Sequence, residues 1–195
     1  YCKSLIVRLI YTYLNFTELS TKYRYPSEEH TVITSDGYVL TIFRIPSKCD
    51  YMQRFPVLLM HGIFDSSDAW ILSGPRTGLG YILSKKCYDV WAANNRGNRY
   101  SRKHVRLNPD EDMKFWDYSF DEIGYFDLTA IIDYMLSVTK SSKVYYVGHS
   151  QGTTDFFAMT SLRPEYNAKI QLFLQITRLT DDKEKYYYIF VLCVC

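Results

Sequence analysis

The chain has 195 residues, of which 47% are hydrophobic and 23% are charged, a balance typical of one soluble globular domain with a sizeable core. Lys and Arg number 23 and Asp and Glu 21, so the net charge is only +2. Because the basic residues form no run or stripe, the composition argues against a nucleic-acid-binding module. Residues 1–13 carry Lys3 and Arg8 and are too short and too polar to cross a bilayer, so we predict no transmembrane segment.

The cysteines predict neither a disulfide framework nor a zinc site, although isolated bridges stay open. They are odd in number, scattered, and without metal-ligand spacing: Cys2, Cys49, Cys87, Cys193 and Cys195. We expect no metal and no cofactor. Asn15-Phe16-Thr17 is the only N-x-[ST] sequon and would be glycosylated if the chain enters the secretory pathway.

A β-hairpin is the first element that the sequence predicts. Residues 31–45 contain two β-rich runs around Ser35-Asp36-Gly37, and Pro46 closes the second run. After a polar loop, the continuous apolar run at 55–60 predicts a strand buried on both faces of a sheet.

A helix near 79–85 and a strand at 88–93 lead into a turn-rich segment, Asn94-Asn95-Arg96-Gly97-Asn98. The carboxyl end of a strand is where open α/β sheets place ligands. Arg96 and the asparagines could organise the loops around a site, or Asn and Gly could simply make the turn. For direct substrate contact we favour the simple turn.

Ser119 and Glu122 form a capping-box pattern that predicts a helix start. Apolar residues follow at helical spacings, so one face can pack on a sheet: Ile123, Phe126, Ile131, Met135 and Leu136. The acidic residues of this helix are expected mainly on its solvated face and in its first turn, where the helix dipole favours them. They are Asp121, Glu122, Asp127 and Asp133.

The sequence around Ser150 predicts a nucleophile elbow. A β-branched apolar run over 144–147 precedes Gly148-His149-Ser150-Gln151-Gly152, and a helix-length segment follows it up to Pro164. In a G-x-S-x-G strand-to-helix turn the serine hydroxyl is lifted above the sheet, with its backbone at positive φ, and the glycines allow close approach. Ser150 is the candidate nucleophile. The alternative is a serine in an ordinary tight turn.

The loop after the apolar strand predicts half of an oxyanion hole. It contains His61-Gly62-Ile63-Phe64. By the geometry of this kind of site, the Ile63 N–H would act with the N–H of Gln151, the residue after the nucleophile. For His61 we favour a structural role that braces the loop over a role in proton transfer.

Strands and helices alternate along the chain, which predicts an α/β fold with a mostly parallel, doubly wound sheet. We divide the chain into an N-terminal arm (1–22), a core that resembles part of an α/β-hydrolase (23–176) and a divergent C-terminal tail (177–195). The tail ends in YYYIFVLCVC over 186–195, a run too short for a membrane helix and with the composition of an aggregation-prone strand.

Several ordered motifs together resemble the acid lipase family, which includes gastric and lysosomal acid lipases and insect lipases. They are YPSEEHTVITSDGYVL (25–40), HGIFDSS (61–67), DVWAANNRGNRYSRKH (89–104), FWDYSFDE (115–122) and GHSQG (148–152). The resemblance covers about residues 17–174. It implies a secreted or lysosomal serine hydrolase that acts at a lipid–water interface on neutral lipid esters such as triacylglycerols or steryl esters. It also implies Ser150 as nucleophile and Ile63 and Gln151 as oxyanion donors.

The chain departs from that family in its catalytic triad, whose order in this fold is Ser, then Asp or Glu, then His. All four histidines precede Ser150: His30, His61, His104 and His149. Asp155, Asp181 and Asp182 follow it, but none matches the acid of the family. Without a base, Ser150 should be a poor nucleophile.

Two hypotheses follow from the missing base. Either the chain is part of a lipid ester hydrolase, or it is a catalytically inactive, truncated lipase that acts as a lipid-binding or interaction protein. The sequence leaves open whether this chain alone is an enzyme.

Overall fold

The computed structural model describes residues 13–181 and 184–192. Within them, seven strands form a single sheet in the order β1-β2-β4-β3-β5-β6-β7. The central strands β4, β3, β5 and β6 run parallel, whereas β1, β2 and β7 are added antiparallel at the two sides. The predicted α/β class is therefore confirmed, with the parallel part confined to the centre of the sheet. The strands are β1 Glu28–Ile33, β2 Val39–Ile45, β3 Val57–Met60, β4 Val90–Ala92, β5 Val144–His149, β6 Ile170–Asp181 and β7 Glu184–Leu192.

Helices cover both faces of the sheet. The α-helices are α1 Phe16–Lys22, α2 Leu79–Lys85, α3 Phe120–Glu122, α4 Thr129–Thr139 and α5 Gln151–Leu162. A π-helical turn, Ile123–Leu128, joins α3 to α4, and short 3₁₀ turns lie at Ser67–Trp70, Met113–Trp116 and Pro164–Lys169. Among the described residues, none of these helices has the length and apolar character that crossing a bilayer requires.

Strand β3 shows why the core has two halves. Its residues are all buried and alternate in direction, so Leu58 and Met60 pack with α4 and α5 on one face of the sheet. Val57 and Leu59 pack on the other face with α1 and α2. The prediction of a strand buried on both faces is confirmed. Because β3 is a central strand, the loop after it lies at the middle of the sheet edge.

Local signals in the sequence placed several elements correctly. The predicted hairpin is β1 paired antiparallel with β2, turning at Gly37 with φ +105°. At the start of α3 the Asp121 N–H donates to Ser119 Oγ and the Ser119 N–H donates to Glu122 Oε2, so the capping box is confirmed.

One isolated disulfide lies within the described residues and joins Cys49 to Cys87. It links the loop after β2 to the end of α2, 38 residues apart in sequence. Loop-closure entropy gives such a bridge roughly 4 kcal/mol of stabilisation. The pairing could not be read from the scattered cysteines. Cys2, Cys193 and Cys195 lie outside the described residues.

The predicted arm and tail are described only in part. Residues 1–12 of the arm lie outside the described residues. Helix α1 belongs to the described part of the arm, and its Phe16 ring packs on Phe43 of β2, with ring centroids 4.4 Å apart. Residues 186–192 of the apolar run lie in strand β7, which pairs with β6 from Asp181 opposite Glu184 to Phe173 opposite Leu192.

Candidate active site

Ser150 occupies the sharp turn between β5 and α5. Its backbone has φ +50° and ψ −116°, a region that L-residues avoid because it is sterically strained. The residue is exposed at the edge of the sheet. The structure thus has the strand, the turn with positive φ and the helix that the motif predicts.

The two glycines of the motif are required by close backbone contacts. A Cβ on Gly152 would lie 2.6 Å from the Met60 carbonyl oxygen, and one on Gly148 would lie 2.9 Å from the Gly152 backbone. No side chain fits in either place. The elbow is therefore held directly against the end of β3.

The loop after β3 lies beside Ser150. A Cβ on Gly62 would be 3.1 Å from Ser150 Cβ and 3.0 Å from His149 Nδ1. Ile63 follows Gly62 with 59% of its surface exposed, and Gln151 is the first residue of α5. The structure therefore brings together the candidate nucleophile and the two segments that carry the candidate oxyanion donors.

His61 braces this loop from beneath. Its side chain is 3% exposed, and its Nε2 accepts hydrogen bonds from the Asn95 N–H at 3.2 Å and from Asn98 Nδ2 at 3.1 Å. Nε2 is therefore unprotonated, and Nδ1–H donates to the Gly62 carbonyl at 2.7 Å. Burial lowers the pKa of His61, which keeps the ring neutral.

The other histidines have different environments. His30 bonds to Tyr134 Oη and Glu28, and His104 bonds to backbone groups, including the Asp36 carbonyl. The His149 ring borders Gly62. Neither His30, His61 nor His104 is therefore placed as a base for Ser150.

The asparagine side chains of the turn after β4 form hydrogen bonds that connect this turn to neighbouring segments. Asn94 Oδ1 accepts from the Ser67 N–H at 2.9 Å and from Asn98 Nδ2 at 2.8 Å. Asn94 Nδ2 donates to the Thr41 carbonyl at 2.9 Å. These contacts fix the loops around the elbow.

Arg96 is buried at the centre of an ion cluster. Its guanidinium donates to Asp127 at 2.7 and 2.9 Å and to Asp36 at 2.7 and 3.1 Å, and lies 3.9 Å from the Tyr38 ring centroid. The cluster thereby joins the hairpin turn, the π turn and the loop after β4. Arg96 therefore organises the loops around the site, one of the two roles considered for it from the sequence, and it does so through contacts inside the protein.

The prediction that the acidic residues of this helix are mainly solvated is wrong for Asp127, which is fully buried. The π turn is the physical reason, because its wider winding rotates Asp127 toward Arg96. Burial raises the pKa of Asp127 to about 6, while the Arg96 charge opposes that rise.

Asp155 is a second buried carboxyl that sequence reasoning placed on the elbow helix without expecting its burial. Its Oδ2 accepts from Asn95 Nδ2 at 3.2 Å. The buried positions of α5 recur at helical spacing, and Asp155 is among them: Gly152, Thr153, Asp155, Phe156 and Met159. The helical spacing of these positions is the sequence signal that could have predicted the burial of Asp155.

No group of three His, Cys, Asp or Glu side chains able to hold a metal ion occurs in the part of the chain that the structure describes.

Comparison with known proteins identifies the class. Residues 16–74 match the family described as a partial alpha/beta-hydrolase lipase region, and residues 56–170 match the alpha/beta hydrolase fold. The chain belongs to the α/β-hydrolase fold family. An esterase from Pyrococcus furiosus shares this fold, with a TM-score of 0.55 at 18% identity, over 81% of this chain and 53% of the esterase.

The curated relatives are lipases, which confirms the resemblance to the acid lipase family. The chain is 51% identical to Lipase 1 of Drosophila melanogaster over 157 residues, 80% of this chain and 35% of that protein. It is 43% identical to the mouse (Mus musculus) gastric triacylglycerol lipase over 174 residues, 87% of this chain and 44% of the lipase. The chain thus spans less than half the length of these two relatives.

Proposed function

We propose that this chain carries the nucleophile and oxyanion hole of a serine hydrolase that breaks down neutral lipid esters such as triacylglycerols or steryl esters. The observation that supports it most is the strained, exposed Ser150 beside Gly62, with 3.1 Å between Ser150 Cβ and the site of a Gly62 Cβ. The lipase names of its relatives support the substrate class.

In the proposed reaction Ser150 Oγ attacks the ester carbonyl carbon while its proton passes to a base. The carbonyl oxygen gains negative charge, which the N–H groups of Ile63 and Gln151 stabilise, each donor contributing about 3 kcal/mol. The intermediate collapses, the alcohol leaves with a proton, and water then releases the fatty acid from the acyl-serine.

The base of this reaction is not assigned within the described site. His149, whose ring borders Gly62, precedes Ser150, whereas the base of this fold follows the nucleophile in the chain. His61 is neutral, but its Nε2 lone pair is occupied by two donors. The proposal therefore assigns the base and its acidic partner to groups beyond this 195-residue sequence, in the whole protein.

The surface next to Ser150 suits contact with lipid. Ile63 and Phe64, directly after Gly62, are 59% and fully exposed. Exposed apolar side chains beside a reactive group are typical of a surface that binds another apolar phase. We infer that this loop touches the lipid–water interface.

A secreted, extracellular or lysosomal location is part of the proposal. The Cys49–Cys87 disulfide supports it, because such bridges persist in oxidising compartments. Asn15, a candidate for glycosylation, also supports a secretory location. Its Oδ1 caps α1 by accepting a hydrogen bond from the Glu18 N–H. A glycan would be attached to Nδ2, which this cap does not use.

A chimera tests the proposal. Residues 16–176 of this chain replace the aligned segment of Drosophila Lipase 1, whose remaining sequence completes the protein. We expect hydrolysis of an emulsified triacylglycerol, and a loss of roughly 10⁵- to 10⁶-fold in kcat for Ser150→Ala. Ser142→Ala, in an exposed loop, is the matched control and should retain full activity. A folded chimera whose hydrolysis is unaffected by Ser150→Ala would contradict the proposal.

A further inference from the structure

Two unpaired oxygen atoms lie on the same pair of buried side chains, Asn95 and Asp155. Within the described residues, four buried side-chain polar atoms lack a hydrogen-bond partner, and two of them are Asn95 Oδ1 and Asp155 Oδ1. The side chains are already joined through their other atoms, since Asn95 Nδ2 donates to Asp155 Oδ2. Asn95 is 4% exposed and Asp155 is 0% exposed, so bulk water does not reach them.

An ionised Asp155 cannot resolve this arrangement. Both carboxylate oxygens and the amide oxygen are acceptors, so Asp155 Oδ1 and Asn95 Oδ1 would have no proton between them. A protonated carboxyl supplies the missing donor. Asp155 Oδ1–H would then donate to Asn95 Oδ1 while Oδ2 accepts from Asn95 Nδ2, and both unpaired atoms are satisfied at once.

We propose that Asp155 is protonated in the folded protein and forms a two-bond carboxylic acid–carboxamide pair with Asn95. The pair ties the elbow helix to the loop after β4. The same Asn95 donates its backbone N–H to His61, which holds the Gly62 carbonyl. Asp155 and Asn95 are therefore positioning residues that connect α5 to the loop beside Ser150.

The charges around Asp155 agree with a neutral carboxyl. Burial raises the pKa of Asp155 to about 7, and the nearby Asp127 carboxylate acts in the same direction. The hydrogen bond from Asn95 opposes the rise, and so does the nearby side-chain amide of Gln151. Tyr146, on β5, donates its hydroxyl to the Gly152 carbonyl.

The remaining charged groups near the elbow helix lie further toward solvent or are neutralised. Arg96, next to Asn95, is engaged by Asp127 and Asp36. His61 is neutral. Asp121 and Glu165, on the segments packed against α5, are exposed, and Glu122 is held by its capping box. Lys169 pairs with Asp133, and Arg163 pairs with Glu165.

A pH dependence follows from this pair. The folded state holds a proton that the unfolded chain releases above the ordinary aspartate pKa of 3.8. The contribution of the pair to stability is therefore complete below about pH 4 and is lost as the pH rises toward about 7. Above that pH the ionised carboxyl faces Asn95 Oδ1, and the link between α5 and the loop weakens.

Infrared spectroscopy of the 195-residue chain with ¹³C-labelled aspartate tests the proposal. We expect a carbonyl band of a protonated carboxylic acid whose component titrating near pH 7 is absent from Asp155→Asn and persists in Asp127→Asn, the control for the other buried carboxyl. The band should titrate away around pH 7. If the wild-type chain shows Asp155 only as a carboxylate at pH 5.5, the proposal is wrong and Gln151 supplies the second partner.

Urea denaturation of Asp155→Asn against wild type is the second measurement. The amide introduced by this variant can donate to Asn95 Oδ1 and accept from Asn95 Nδ2, so it should fold and match wild type near pH 4. Between pH 5 and 8 the wild-type midpoint should fall relative to the variant. A variant that fails to fold, or two midpoints that stay parallel over this range, would overturn the proposal. Neither measurement depends on ester hydrolysis, so a negative result separates this pair from the proposed function.

Discussion

The Met60 carbonyl oxygen lies 2.6 Å from the point that a Cβ on Gly152 would occupy. Strand β3 and helix α5 therefore approach so closely that backbone packs on backbone beneath Ser150. This contact sets both the height of the serine above the sheet and its distance from Gly62.

Gly152→Ala should consequently destabilise the chain by about 3–5 kcal/mol, because the clash is with backbone atoms that cannot move aside. Urea denaturation measures the loss. Gly74→Ala is the comparison: Gly74 has a positive φ of +78°, which Gly152 does not, but its Cβ would meet no atom closer than 3.6 Å. It should cost only about 1–2 kcal/mol. Equal losses at the two positions would show that the close approach is unimportant.

Asp127→Asn should destabilise the fold by about 3–5 kcal/mol, because the buried Arg96 loses a charged partner. Asp110→Asn removes the partner of Arg102 in an exposed pair and should change stability by less than about 1 kcal/mol. Thermal or urea unfolding of both variants makes the comparison. A small effect at Asp127 would mean that Asp36 alone satisfies Arg96.

His61 predicts a pH effect of opposite sign to that of Asp155. Burial lowers its pKa below 6.5, so the unfolded chain takes up a proton before the folded chain does. The stability that depends on neutral His61 is complete above about pH 6.5 and is lost as the pH falls toward the folded pKa.

The variant His61→Gln cannot titrate, and its unfolding midpoint should rise relative to wild type as the pH falls from 7 to 5. Urea denaturation at several pH values gives this difference. A constant difference between the two proteins would contradict the neutral, hydrogen-bond-accepting state of Nε2.

Replacing Cys49 and Cys87 by serine together should lower stability by roughly 4 kcal/mol, through the loop that the bridge closes. Unfolding with and without a reductant provides the check, because the double variant should be insensitive to reductant while the wild-type chain is not. Equal sensitivity would indicate that the bridge does not form.

The elements that the sequence predicted correctly are those with local signals. The hairpin around Gly37, the capping box at Ser119 and the turn at Ser150 each depend on a few neighbouring residues whose preferences agree with the final fold. The positive φ of Ser150 is of this kind, since the flanking glycines already indicate close packing.

The features that sequence reasoning missed depend on partners distant in the chain. The burial of Asp127 follows from a π turn that rotates it toward Arg96, 31 residues away, and Asp155 meets Asn95 from 60 residues away. Cys49 likewise finds Cys87 only once β2 and α2 are packed. Composition and periodicity do not identify such partners, although the helical period of α5 does indicate that Asp155 is buried.

The most direct measurement is the site at which a fluorophosphonate probe reacts in the native protein from its source. Peptide mapping of the captured protein identifies the modified residue. We predict an adduct on Ser150, in a protein whose mass exceeds the 23.0 kDa of this chain, since we propose that the base lies outside it. A captured protein modified on another serine, or recovery of the native chain with Ser150 unmodified under conditions where it hydrolyses lipid esters, would contradict the assignment of Ser150 as the nucleophile.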